Sequence, residues 1–94
     1  MNHTAAIVTG GNRGVGEGIC YALASKGYDI FMAHCGEADK AAHVAQQLRE
    51  KFGVRVVTFD CDQRERTIGE TLMTQALLAF PSISLVMCNA GVGL

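Results

Sequence analysis

Short runs of apolar residues alternate along this chain with longer segments in which apolar and polar positions recur at helical spacing. The short runs are bounded by glycine or polar residues, as is typical of buried strands. They predict strands over residues 4–9, 28–33, 54–59 and 82–88. The longer segments predict helices from Gly14 to a stop at Gly27, from Ala38 to Phe52 and from Gln63 to Phe80. Pro81 lies just past the last of them, where a helix cannot continue.

Each predicted helix carries an apolar stripe that indicates its buried face. The first stripe consists of Val15, Ile19, Ala22 and Leu23. The second consists of Ala41, Ala45, Leu48 and Phe52, and the third of Ile68, Leu72, Ala76 and Phe80.

The order of elements, βαβαβαβ, predicts a parallel sheet, because crossovers of this length join parallel strands and are right-handed. The fold class is therefore α/β with a doubly wound sheet. If the third crossover returns past the first strand, the strand order is 3-2-1-4. Ligands of such sheets bind outside the carboxyl ends of the strands where the order reverses. Three glycine-bearing or acidic segments lie at that edge: residues 10–16, 61–62 and 89–91.

Composition limits the class of protein. The 94 residues suffice for one domain, and 49% hydrophobic with 18% charged residues excludes a disordered chain. A net charge of −1 gives no general attraction for nucleic acid or an anionic membrane, and no apolar segment approaches a membrane span. The four cysteines are far apart and form no zinc-binding pattern, so we expect no metal site. With no apparent signal peptide, a reducing, cytoplasmic setting is expected.

The turn after the first strand reads T-G-G-N-R-G-V-G, from Thr9 to Gly16. A diphosphate needs backbone N–H groups at close range and the positive end of a helix dipole, and glycine removes the Cβ that would keep it away. Gly10 would start the turn, Gly14 would lie nearest the phosphates, and Gly16 would let the helix pack against the sheet. A Walker A loop is excluded, because Glu17 and Gly18 follow the last motif glycine. An ordinary strand-to-helix turn is the alternative, but the position after the first strand favours binding.

These residues resemble the short-chain dehydrogenase/reductase family. The turn is similar to the family's T-G-x-x-x-G-x-G cofactor motif, and Cys61-Asp62 looks like its adenine-contacting aspartate. Residues 88–91, C-N-A-G, resemble its N-N-A-G motif, with Cys88 in place of the first asparagine. The resemblance implies a Rossmann-like fold that binds NAD(P). It also implies that Asn12, Val15 and the segment Asn89-Ala90-Gly91 lie along the cofactor, and that Asn89 helps to tie strand four to its neighbouring strands.

The adenine role has two candidates. Asp62 aligns with the family pattern from Gly53 onward without a gap, whereas Asp60 would serve if the third strand ended earlier. Asp62 is preferred, although with Glu65 it could also cap the following helix. The two roles are compatible.

The sequence favours NADP(H) over NAD(H). A carboxylate at the end of strand two would accept hydrogen bonds from the adenosine ribose and favour NAD, but that end reads Ala33-His34-Cys35, with no acid before Glu37. Arg13 could pair with a 2′-phosphate. In the family that the sequence resembles, an arginine at this motif position accompanies a preference for NADPH. His34 could donate to that phosphate when protonated, but a solvated histidine at a strand end is the favoured interpretation.

No catalytic residue can be assigned. The family's catalytic tyrosine belongs to a Y-x-x-x-K motif, but Tyr21 is followed four residues later by Ser25 and Tyr28 by Met32.

Strand four would place Ile83, Leu85 and Met87 on one face and Val86 and Cys88 on the other, and would leave an open edge.

We therefore expect residues 1–94 to be the NADP(H)-binding, N-terminal portion of a larger oxidoreductase. By the resemblance, that parent would act on a small carbonyl or alcohol substrate and form a homo-oligomer. The alternative is a non-enzymatic nucleotide-binding or regulatory module. A methyltransferase-like domain is disfavoured, because no acid follows strand two.

Overall fold

The computed structural model describes residues 4–10, 14–34, 36–60 and 68–88. Within these ranges the strands are β1 (Ala5–Thr9), β2 (Asp29–His34), β3 (Val56–Asp60) and β4 (Ile83–Cys88). The helices are α1 (Gly14–Ser25), α2 (Ala38–Phe52) and α3 (Ile68–Ala79). The bounds predicted for α2 are confirmed, and each described strand lies within two residues of its predicted position. The predicted start of the third helix, at Gln63, lies outside the described residues.

All the strand pairings are parallel and follow the order β3-β2-β1-β4, which confirms the predicted doubly wound topology. The register places Thr9 opposite both Ala33 and Cys88, and His34 opposite Asp60. The carboxyl ends of neighbouring strands therefore meet at one edge of the sheet.

Helices cover both faces of this sheet. Against one face, α1 and α2 bury a cluster that includes Cys20, Val44 and Leu48 with Val8 and Met32 of the sheet. On the opposite face, α3 buries a smaller cluster of Ala5, Ile7, Phe31, Ala76 and Phe80. The central strands β1 and β2 are consequently buried along almost their whole length.

The stripe predicted for α1 was only partly right. Ile19 and Leu23 are half-buried and pack against the core, as predicted. Val15 is 71% exposed and Ala22 is also exposed, whereas the buried residues are Gly16, Cys20 and Ala24. Small side chains occupy this face because they let the helix axis approach the sheet closely, a preference that hydrophobicity alone does not report.

The other stripes agree with the structure where it describes them. Ala41, Ala45 and Leu48 of α2 are buried and Phe52 is half-buried. Next to them, Val44 is buried as well. In α3, Ala76 is buried, as is Phe80 just beyond the helix, and Leu72 is half-buried. The side chain of Ile68 is outside the described set.

The faces predicted for β4 were also partly wrong. Leu85 and Met87 pack on the α1–α2 side, but Ile83 packs with Phe80 on the α3 side. The register between β1 and β4 shifts between Ala5 and Ala6, so β4 has one extra residue at this point. Ile83 therefore lies on the opposite face from Leu85. Val86, on the α3 side, is 47% exposed. Within the described residues β4 pairs only with β1, in keeping with the expected open edge.

Among the described residues, no helix combines the length and the apolar character needed to cross a membrane.

Candidate functional site

The carboxyl ends of the strands and the beginning of α1 form the candidate site. Gly10 adopts a positive φ of 68° and donates its N–H to the Ala33 carbonyl at 2.7 Å. This hydrogen bond ties the turn that leaves β1 to the end of β2. On the other side, the Thr9 hydroxyl donates to the Met87 carbonyl at 3.5 Å and so connects β1 to β4.

Gly14 begins α1 with a φ of 39°, which favours glycine, and it is exposed. A Cβ built at Gly14 would meet no heavy atom of the described residues within 4 Å, so the described part of the chain leaves room beside this Cα. The first N–H groups of a helix have no intrahelical acceptor, and the macrodipole places partial positive charge there. The glycine conformation, the room beside Gly14 and the donors that a helix start presents together fit a dinucleotide's diphosphate.

The structure describes some of the predicted cofactor-binding residues. Gly10, Gly14, Val15 and His34 are at or next to this edge, with Val15 largely exposed. Gly16 is buried on the face of α1 that packs against the sheet, the position expected for it. The remaining predicted site residues lie outside the described residues: Asn12, Arg13, Asp62, Asn89, Ala90 and Gly91.

His34 is not solvated, and the favoured interpretation of it was wrong. It is only 3% exposed, because β2 lies between β1 and β3 in a sheet that helices cover on both faces. Its Nδ1 lies 2.7 Å from the Gly36 carbonyl oxygen. A carbonyl only accepts, so Nδ1 carries the hydrogen. A role for His34 toward a cofactor phosphate stays a prediction.

Sequence reasoning missed the partner of Asp60. Its Oδ1 accepts a hydrogen bond from the Gly36 N–H at 3.1 Å, which joins the end of β3 to the turn between β2 and α2. Asp60 had been considered only as an adenine ligand. The signal was available in the strand order, since in 3-2-1-4 the end of strand three lies next to the turn that leaves strand two.

Cys20 is a packing residue rather than a reactive group. It is completely buried on α1. Burial, with a smaller contribution from the negative charge of Glu17, raises the pKa of its thiol to about 12. At neutral pH it therefore carries no nucleophilic thiolate. Within the described ranges, no group of three metal-ligating side chains is gathered.

Comparison with known proteins agrees with this geometry. Residues 4–94 match the family model described as short chain dehydrogenase. The chain belongs to the short-chain dehydrogenase/reductase family.

Individual relatives give the same result. The 3-oxoacyl-(acyl-carrier-protein) reductase FabG of Staphylococcus epidermidis is 28% identical over 88 residues, which cover 94% of this chain and 36% of that protein. The crystal structure of a 3-oxoacyl-(acyl-carrier protein) reductase from Brucella melitensis in complex with NAD is 34% identical, with a TM-score of 0.85. It covers 99% of this chain and 35% of the other. The alcohol dehydrogenase from Thermococcus sibiricus, complexed with 5-hydroxy-NADP, is 28% identical with a TM-score of 0.81 and covers 90% of this chain and 36% of the other.

The chain thus spans about a third of the length of these relatives (36% for the reductase of Staphylococcus epidermidis). The family match and the similar structures therefore establish the family and the α/β fold of this part of the chain.

Proposed function

We propose that residues 1–94 are the NADP(H)-binding, N-terminal portion of an oxidoreductase that transfers hydride between the cofactor and a small carbonyl or alcohol substrate. The observation that carries this proposal is the start of α1 at the carboxyl edge of the sheet, where the exposed Gly14 has a positive φ and room beside its Cα. Two similar structures contain nicotinamide dinucleotides, NAD in one and 5-hydroxy-NADP in the other.

The roles of individual residues follow from this placement. Backbone N–H groups at Gly14, Val15 and Gly16 would bind the diphosphate, and Gly10 would shape the turn that presents them. Asn12 and the segment Asn89-Ala90-Gly91 would lie along the dinucleotide, with Asp62 at the adenine. The cofactor, when bound, supplies or accepts the hydride.

The preference for NADP(H) rests on the residues near the end of β2. That strand ends at His34, and no carboxylate belongs to its last residues. His34 is held within the fold by its contact with Gly36, and Arg13 would provide the positive charge that a 2′-phosphate requires. The cytoplasmic location and the homo-oligomeric parent remain predictions of the same kind.

The test is a calorimetric titration of the 94-residue chain with NADPH and with NADH. The chain should bind NADPH at least about tenfold more tightly, a difference of about 1.4 kcal/mol. Arg13→Ala should weaken NADPH binding by about tenfold or more, because a charge-assisted pair contributes about 1.5–3 kcal/mol, and should leave NADH binding within about twofold.

Lys26→Ala is the matched control. Lys26 is exposed in the turn after α1, at the opposite edge of the sheet, so its loss should change neither affinity. NADH binding as tight as NADPH binding in the unsubstituted chain would contradict the proposed preference. Failure to bind either dinucleotide would contradict the proposed function.

A further inference from the structure

The backbone N–H and carbonyl groups of Gly36 are both hydrogen-bonded to side chains at the ends of two strands. Its N–H donates to Asp60 Oδ1 at 3.1 Å, and its carbonyl accepts from His34 Nδ1 at 2.7 Å. Because His34 and Asp60 pair in register, the two contacts clamp the first part of the β2–α2 turn onto the sheet edge. We call the trio of His34, Gly36 and Asp60 the turn clamp.

The backbone that the turn clamp holds is unusual. Gly36 has a φ of 73°, and Glu37 follows with a φ of 52° and a ψ of 46°, so two successive residues are left-handed. Glutamate disfavours this conformation, because its Cβ crowds the next carbonyl oxygen. Such a backbone persists only where surrounding contacts hold it, and the turn clamp supplies two of them. The helix α2 begins at the next residue, Ala38.

The turn lies where the identity of the dinucleotide is read. In a doubly wound sheet the diphosphate lies at the start of the first helix, and the adenosine ribose extends to the end of strand two. Gly10, which begins the glycine turn, is hydrogen-bonded to Ala33, next to His34. The position of residues 36 and 37 therefore decides how much space is available to the substituent at the ribose 2′ position and which polar groups contact it.

From these contacts we infer that Asp60 is a positioning residue for cofactor discrimination: it acts through the Gly36 N–H on the β2–α2 turn and does not bind the adenine directly. The inference rests on the proposed NADP(H)-binding function and assigns part of its specificity to the turn clamp. Asp60 Oδ1 is already engaged by the Gly36 N–H, and Asp60 is exposed, so its replacement need not disturb the core.

The experiment compares the NADPH-to-NADH affinity ratio in the unsubstituted chain, Asp60→Ala and Asp60→Asn, by calorimetry at about 0.15 M salt, where the Debye length is about 8 Å. Asp60→Ala removes the acceptor, so the ratio should fall by about fivefold. Asp60→Asn keeps an oxygen acceptor, so the ratio should stay within about twofold of the starting value. Glu50→Ala is the control, because Glu50 is an exposed carboxylate toward the other end of α2 that accepts a hydrogen bond from Gln46 Nε2.

A second probe separates positioning from direct contact. The dinucleotide in which hypoxanthine replaces adenine lacks the amino group that a carboxylate would accept from. If Asp60 only positions the turn, Asp60→Ala should leave the affinity ratio between NADPH and its hypoxanthine analogue unchanged. The Gly36 amide should also be protected from hydrogen exchange in the unsubstituted and Asp60→Asn chains, and lose protection in Asp60→Ala.

Three results would overturn the inference while leaving the proposed function intact. The first is an NADPH-to-NADH ratio that Asp60→Ala does not change. The second is an adenine-to-hypoxanthine discrimination that disappears in Asp60→Ala, and the third is an unprotected Gly36 amide in the unsubstituted chain. By contrast, an unsubstituted chain that binds neither dinucleotide would contradict the proposed function itself.

Discussion

Replacing Gly14 with alanine separates the role of its conformation in folding from its role in binding. Gly14 has a φ of 39°, and a Cβ there meets no atom within 4 Å among the residues that the structure describes. The substitution therefore creates no clash in the free protein, and its cost comes from the backbone alone. A left-handed conformation destabilises the folded state by about 1–2 kcal/mol for an L-residue. Alanine also lowers the conformational entropy of the unfolded chain, which offsets about 0.4–1 kcal/mol of that loss.

Gly53→Ala is the matched comparison. Gly53 has a φ of 71°, and its added Cβ also meets nothing within 4 Å, but it caps the C-terminus of α2. Both variants should lose about 1 kcal/mol of unfolding free energy, which lowers Tm by roughly 4–8 °C for a domain of this size. Urea denaturation and thermal unfolding measure this.

Cofactor affinity should distinguish the two variants. The alanine methyl at position 14 projects into the open space in which we place the diphosphate, so NADPH binding should weaken by at least about tenfold. At position 53 the change should be less than about twofold. Equal losses of affinity in the two variants would show that cofactor affinity follows only the stability of the fold. Undiminished NADPH binding by Gly14→Ala would refute the placement of the diphosphate.

Three further predictions concern stability. Leu48→Ala, at a fully buried position of α2, should cost about 2–5 kcal/mol in urea denaturation, against less than about 0.5 kcal/mol for the exposed neighbour Gln47→Ala. Burial raises the pKa of the Cys20 thiol from 9.0 to about 12, so between these pH values the thiol ionises in the unfolded chain but not in the folded one. The contribution of Cys20 to the free energy of unfolding is therefore complete below pH 9 and falls by about 1.4 kcal/mol per pH unit up to about pH 12. The difference in unfolding free energy between the unsubstituted chain and Cys20→Ala should follow that slope, and a constant difference across this range would contradict it. Asp29→Ala should lower the free energy of unfolding by about 1–3 kcal/mol, and Arg55→Ala by about 0–1 kcal/mol. Asp29 is buried and accepts hydrogen bonds from both the backbone N–H and the guanidinium of Arg55, whereas the Arg55 side chain is 67% exposed. Equal losses in those two variants would contradict this asymmetry.

The order of elements and the strand order were predictable because they depend on repeated, local signals. Apolar runs, helical periodicity and glycine stops recur in every unit of the chain, and the handedness of crossovers restricts how the units assemble. The glycine turn was predictable for the same reason, since the φ values of Gly10 and Gly14 require the residue type that is found there.

Features that depend on packing between elements were not predictable. In α1 the sequence did not show that Ala24 is buried while Val15 and Ala22 are exposed, because the distance between helix and sheet selects small residues over hydrophobic ones. The change of face at Ile83 comes from an irregular register that no alternation in β4 announces. The burial of His34, by contrast, could have been inferred from the sequence, because the predicted order 3-2-1-4 already places β2 between β1 and β3.

The most direct test of the account is the amide spectrum of the 15N-labelled chain during titration with NADPH. We predict that the largest shifts fall on the amides of Gly10, of residues 14–16 and of Gly36, at the carboxyl edge of the sheet. The amides of Gly27 and Arg55, at the opposite edge, should hardly move. Shifts concentrated at that opposite edge, or none at saturating NADPH, would contradict the claim that the start of α1 binds the dinucleotide.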